Sequence, residues 1–170
     1  NVGLFDALGY VFASDIYALR DLPSFDNSAL DGYAFAYDDK NMPLKVCASV
    51  LAGDMNEYKI SKGECYKTMT GAPFAEGCDT LVAIEQANFN ENGELLIPGD
   101  IKKGNALKLR GEELKRGELL FRAGKILNPS AITMLAAQGI AEISVFAKPR
   151  LCVFCTGSEI KEPGEVASNK

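Results

Sequence analysis

Apolar positions along this chain fall into short runs of two periods. Val2, Phe5 and Leu8 recur three apart ahead of Gly9, which predicts a short helical segment ended by glycine. Residues 10–18 read as extended. Asp21 to Ser28 holds a proline, two aspartates, an asparagine and two serines, the composition of a loop. From Tyr33 to Tyr37, aromatic residues alternate with Ala34 and Ala36 at the period of two that a strand requires. Further strands are expected at 44–51, 64–70, 79–88, 94–98 and 106–110, separated by stretches rich in Gly, Asn, Asp and Lys. Asn128-Pro129 is a helix start, a capping side chain followed by proline at the first helical position. Ile132, Leu135 and Ala136 would form the apolar face of that helix, and Gly139 would stop it. Ile143 and Val145 then alternate as a strand. Lys148-Pro149-Arg150 breaks the pattern before an apolar run, 151–155, that reads as a buried strand.

The predicted fold class is α+β. A β-rich unit at 27–104 interrupts a mixed unit assembled from 1–26 and 105–148, and a third unit begins near Pro149 and occupies 149–170. The first residue is Asn1 and falls inside an apolar pattern, so the chain is expected to be a piece of a longer protein.

Composition narrows the function. The chain has no histidine, which excludes Ser-His-Asp and Cys-His catalysis and any imidazole-ligated metal. With 18 basic and 23 acidic side chains, the balance argues against nucleic acid as a main partner. No apolar run approaches ~18 residues, so no membrane span is expected, and no signal peptide is visible. Five cysteines, an odd count, fit a reducing compartment. Cys152 and Cys155 form a C-x-x-C pair that suits a redox dithiol or half a zinc site. On a short strand, however, positions three apart face opposite ways and no second pair completes a tetrahedral set, so small buried hydrophobes are expected there.

Four polar stretches lie among glycines beside predicted strands. In Asp26-Asn27-Ser28-Ala29-Leu30-Asp31-Gly32, Asp31 is either a carboxylate at a strand end or the first half of an Asp-Gly turn. Thr70-Gly71-Ala72-Pro73 offers a hydroxyl and backbone N–H groups to an anion, and the following strand ends at Glu85, which suits a cation. Lys108-Leu109-Arg110-Gly111-Glu112-Glu113 sets cations beside carboxylates and reads equally as a solvated charge run. Cys155-Thr156-Gly157-Ser158-Glu159 follows an apolar run, where ligands bind in open α/β sheets.

In order and spacing these stretches resemble the molybdopterin molybdenumtransferase family, of the MoeA/gephyrin type. The match runs from ALGYVFASDIYALRDLPSFDNSALDGYAF through TGAPFAEGCDTLVAIE and LRGEELKRGELLFRAGKIL to AAQGIAEISVFAKPRLCVFCTGSEI. The chain departs from the family pattern at Leu30, where methionine is usual, at Glu113, which keeps the charge of an aspartate, and at Ser158, which loses one.

The resemblance implies insertion of molybdate into adenylylated molybdopterin with release of AMP, in the presence of Mg2+, by a cytoplasmic elongated homodimer. It implies that 27–104 is a lid domain, 1–26 with 105–148 a linking domain that dimerises, and 149–170 the first strand and loop of an α/β molybdopterin-binding domain. Asp31, Thr70 and Glu159 would be catalytic, with Asp31 and Glu159 as metal ligands. Ser28, Gly71, Glu85, Thr156 and Gly157 would hold the substrate. Hard oxygen donors suit Mg2+, so the lack of histidine is consistent with this chemistry. A scaffold role without catalysis, as in some members of the family, is the alternative.

Overall fold

The computed structural model describes residues 1–54, 56, 58–157 and 159–165. Among them the chain is mostly sheet, with one α-helix and three short 3-10 turns. Strands β1 (Val2–Gly3), β2 (Ile16–Tyr17), β3 (Asn27–Ser28), β4 (Gly32–Phe35), β5 (Lys45–Val50), β6 (Glu64–Thr68) and β7 (Thr80–Ala83) are followed by β8 (Asn88–Phe89), β9 (Leu95–Leu96), β10 (Leu107–Lys108) and β11 (Leu119–Phe121). Helix α1 (Pro129–Ala137) and β12 (Glu142–Ile143) complete the order.

The predicted N-terminal helix is replaced by a strand and a 3-10 turn. Val2 and Gly3 pair with Ile143 and Glu142, and the turn Leu4–Ala7 buries Leu4 and Ala7. A 3-10 turn aligns residues three apart, so Phe5 and Leu8 are left exposed rather than sharing a face with Val2.

A long antiparallel ribbon joins the first segment to the third. Leu127 bonds to Gly9 and Tyr10, Val11 bridges Ile126, Phe12 pairs with Gly124 and Lys125, and Ile16–Tyr17 lie against β11. Ala18 meets Gly117, Leu22 meets Leu114, Pro23 meets Gly111, and β3 meets β10. The segment expected to be a loop, 21–28, is therefore one edge of this ribbon. Its polar residues satisfy the other edge. Asp21 accepts from the Arg116 N–H and the Arg110 Nε, and Asp26 accepts from the Arg110 N–H.

Helix α1 starts where the sequence places it. The Asn128 side chain accepts from the Ala131 N–H at 2.8 Å, with Pro129 as its first residue. Its buried face differs from expectation: Ala131 and Leu135 are buried, Ile132 is half-buried and Ala136 is exposed. Phe12, Leu127 and Ile143 complete this core. Buried Gln138, at the helix end, accepts from the Leu19 and Arg20 N–H groups at 2.8 and 3.0 Å. Those two amides lie where the ribbon pairing lapses between Ala18 and Leu22, so α1 covers the gap.

The four-stranded sheet has order β5-β6-β4-β7, with β5 parallel to β6 and the other pairs antiparallel. Both faces are covered. Ala34, Tyr66 and Leu81 share one core, and Phe35, Cys65 and Val82 share the other. This explains why the aromatic–alanine alternation did not separate inside from outside: Ala34 and Phe35 are both fully buried. Strand β4 also ends at Phe35, and Tyr37 opens a 3-10 turn. The run expected as one strand at 79–88 is two, β7 and β8, with a 3-10 turn at Ile84–Gln86 between them.

Residues 151–155 are not a buried strand. Leu151, Val153 and Phe154 are each more than four-fifths exposed, and Cys152 and Cys155 are exposed as well. A strand needs a neighbour to pair with and a face to bury, and no pairing to this run is found among the described residues. The buried thiol in the chain is Cys65, which burial pushes up to about 12.

Candidate functional site

Antiparallel pairing brings the start of β4 beside the ends of β6 and β7. Gly32 faces Thr68 on one side and Ala83 on the other. Gly32 is there for close approach. A Cβ at this position would overlap the carbonyl oxygen of Val82. The Asp31-Gly32 pair thus stands at a strand entry, with Asp31 in the bend that leads into β4.

Asp31, one residue before the strand, is exposed, and Thr70, two residues past the end of β6, is beside it. The Thr70 N–H and hydroxyl both donate to Asp31 Oδ1, at 2.7 and 2.8 Å. On the other side the Asp31 carbonyl accepts from the Ile84 N–H at 3.0 Å, which draws the 3-10 turn containing Glu85 to the same end of the sheet. The Thr70 N–H, then its hydroxyl, and the charge of Lys67 hold the Asp31 carboxyl below its ordinary 3.8. Oδ2 accepts no hydrogen bond among the described residues.

The loop after Thr70 is fixed from two sides. Gly71, at φ +81°, donates to the Ser28 carbonyl at 2.8 Å, and the Ser28 N–H donates to Ala72 O at 3.0 Å. Fully buried Tyr66 accepts from the Ala75 N–H at 2.8 Å and donates to Pro73 O at 3.3 Å. Ser28 itself is buried, with its hydroxyl directed at the Leu30 carbonyl, so it shapes the loop and is not open to a ligand.

Five of the residues expected from sequence, Ser28, Asp31, Thr70, Gly71 and Glu85, therefore gather at one end of the sheet. Glu85 is exposed there. The other three do not join them. Thr156 and Gly157 lie on the exposed tail, and the Glu159 carboxylate lies against Gly157 of its own loop. Ser158 lies outside the described residues. The charged stretch at 108–113 is consumed structurally. Lys108 pairs with Glu113 at 3.0 Å, Glu112 accepts from the Leu109 N–H, and Arg110 is held by Asp21.

Among the described residues no three His, Cys, Asp or Glu side chains converge. Asp31 supplies one open carboxylate oxygen. That donor suits a hard cation such as Mg2+, which keeps most of its waters and takes one or two carboxylates together with substrate oxygens. It does not make a self-sufficient metal cage.

A sequence profile of the MoeA N-terminal region (domain I and II) matches residues 1–139. The chain belongs to this family. It is 33% identical to the molybdopterin molybdenumtransferase of Staphylococcus aureus over 98% of its own length and 41% of that protein. The Staphylococcus epidermidis counterpart is 31% identical, over 99% and 43%. Among solved structures, a molybdopterin biosynthesis MoeA protein from Pyrococcus horikoshii superposes with a TM-score of 0.86 at 33% identity, covering 96% of this chain and 45% of that one. Another molybdopterin biosynthesis MoeA structure from Pyrococcus horikoshii gives 0.81 at 34% identity, covering 99% and 44%. The chain thus spans under half the length of these MoeA relatives. No helix among its described residues is long and apolar enough to cross a membrane.

Proposed function

We propose that this chain is the N-terminal part of a molybdopterin molybdenumtransferase that inserts molybdate into adenylylated molybdopterin and releases AMP. The observation that carries this reading is the Asp31–Thr70 pair: a carboxylate kept ionised, anchored through one oxygen, with the other open at a sheet end. In this reading 27–104 acts as a lid, 1–26 with 105–148 forms the linking and dimerising unit of a cytoplasmic homodimer, and 149–170 begins an α/β domain. The ribbon between 9–28 and 107–127 supports the second of these, because it makes one unit of two segments distant in sequence.

Asp31 would hold the magnesium ion that arrives with the substrate, and Glu159 would contribute once its own domain is complete. The ion would neutralise charge on the phosphoanhydride as it is cleaved. Thr70 keeps the Asp31 carboxylate aimed and deprotonated. The Gly71 turn and the exposed Glu85 bound the space beside it, and Thr156-Gly157 would face the substrate from the α/β side.

The test is release of AMP from adenylylated molybdopterin with Mg2+ and molybdate. The full-length protein is expected to turn over, and residues 1–170 alone are expected to be silent. Turnover by 1–170 alone would overturn the division of the site between two domains. A full-length protein without the activity would overturn the function.

A further inference from the structure

The residues gathered at this sheet end are carboxylates, hydroxyls and glycines, and the structure adds a cation that the sequence did not point to. Lys67 lies in β6 directly opposite Tyr33 of β4. Cross-strand partners share a face, so Lys67 leaves the sheet on the side that carries Tyr33, two residues along from where Asp31 leads into β4. The residue is half-buried, with fully buried Cys65 two positions away on the same face. That is the setting of a lysine whose stem packs on apolar surface while its ammonium reaches outward.

Its charge acts on Asp31, yet the two do not close on each other. Among the described residues Lys59, Lys103, Lys108 and Arg110 form ion pairs, and Lys67 forms none. Asp31 Oδ1 is occupied by Thr70 and Oδ2 is open. A cation and a carboxylate stand at one end of the sheet, each with bonding capacity to spare among the described residues. A ligand presenting an oxyanion to Lys67 and its neutralising cation to Asp31 would satisfy both.

We propose that Lys67 is the anion-holding residue of this site, donating to a tetrahedral oxyanion of the substrate. This rests on the function proposed above and adds the group that would hold the oxyanion there. A lysine acts as a compact point charge without the fixed fork of arginine, which suits a tetrahedral oxyanion approached from one side. Two sources share that chemistry, the phosphate of the adenylate and molybdate.

The test titrates AMP and, separately, sodium molybdate into the chain, each with MgCl2, and follows the Lys67 ammonium and the Thr70 and Gly71 amides by NMR. At least one of the two ligands is expected to shift the Lys67 and Thr70 signals together, and which one does so names the oxyanion. Lys67→Met should weaken that binding about tenfold, a loss of one charge-assisted contact, and Lys67→Arg should restore most of it. Thermal unfolding of both variants should stay near wild type, because the ammonium makes no hydrogen bond or ion pair among the described residues. Binding unchanged in Lys67→Met, while Asp31→Asn weakens it, would overturn the role of Lys67 and leave the site standing. Binding lost in Lys67→Met but unchanged in Asp31→Asn would keep Lys67 and remove Asp31 as a cation ligand. No shift with either ligand would overturn the proposal.

Discussion

Thr70-Gly71 and Thr156-Gly157 are the same dipeptide, each following a stretch expected to be a strand and each with glycine at positive φ. Their surroundings differ completely. The run before Thr70 is β6, an inner strand whose two neighbours pair along its length and whose Cys65 and Tyr66 are fully buried on opposite faces. The run before Thr156 is exposed along its length. Burying a side chain the size of leucine or phenylalanine stabilises by about 1.5–3 kcal/mol, and Leu151 and Phe154 forgo that gain where Leu81 and Phe35 collect it. Thr70 consequently has a fixed partner in Asp31, and Gly71 a fixed partner in Ser28. The lesson is that a polar turn becomes a site through the strand pairing beneath it.

The largest expected effect strikes at that pairing. Gly32→Ala would drive a methyl group into the Val82 carbonyl, a backbone atom that cannot step aside, and should destabilise the chain by about 3 kcal/mol in urea unfolding. Wild-type stability in Gly32→Ala would show that the sheet end is loose and that the contrast between the two loops is overstated. Next comes Asp31→Asn in the full-length protein, expected to lower turnover about a hundredfold, near 2.7 kcal/mol, while the unfolding temperature falls by no more than about 2 °C. Near-normal turnover would reduce Asp31 to a loop-shaping residue.

Thr70→Val has a smaller, directional effect. It keeps the N–H donor and removes the hydroxyl, so the Asp31 carboxyl should rise towards its ordinary 3.8 without reaching it, as followed by carboxyl NMR titration. A depressed carboxyl contributes stability that is fully present above the unfolded value and lost as pH falls through the folded one. The wild type should therefore carry the larger contribution above about pH 4, and its advantage over Thr70→Val should shrink as pH falls through the two folded values. The smallest effect is expected on the tail. Glu159→Gln should change the stability of residues 1–170 by less than about 0.5 kcal/mol, since Glu159 is exposed and its carboxylate lies against Gly157 of its own loop. A larger loss would mean that the tail is tied to the body of the chain after all.

Much of this was legible in the residues themselves. Asn128-Pro129 and Gly139 bracket α1 because caps are local chemistry, satisfied within one turn of the chain. The short strands of 44–98 were legible as runs between turn residues, and three of them, β5, β6 and β7, assembled with β4 into one sheet. The four polar stretches, in their order and spacing, pointed to the family. What the sequence could not carry was anything set by a partner far along the chain. The stretch 21–28 has the composition of a loop, and only residues 107–114, about eighty to ninety positions on, make it a ribbon edge. Lys67 looked like any strand lysine until the register placed it opposite Tyr33, at the sheet end where Asp31 leads into β4. The face of α1 shifted to Ala131 because burial is decided by what packs against a helix, here Phe12 and Leu127, and not by the helix alone. Local hydrogen bonding and side-chain volume are written residue by residue. Which carboxylate meets which hydroxyl is fixed by strand register, and register exists only once the sheet has formed.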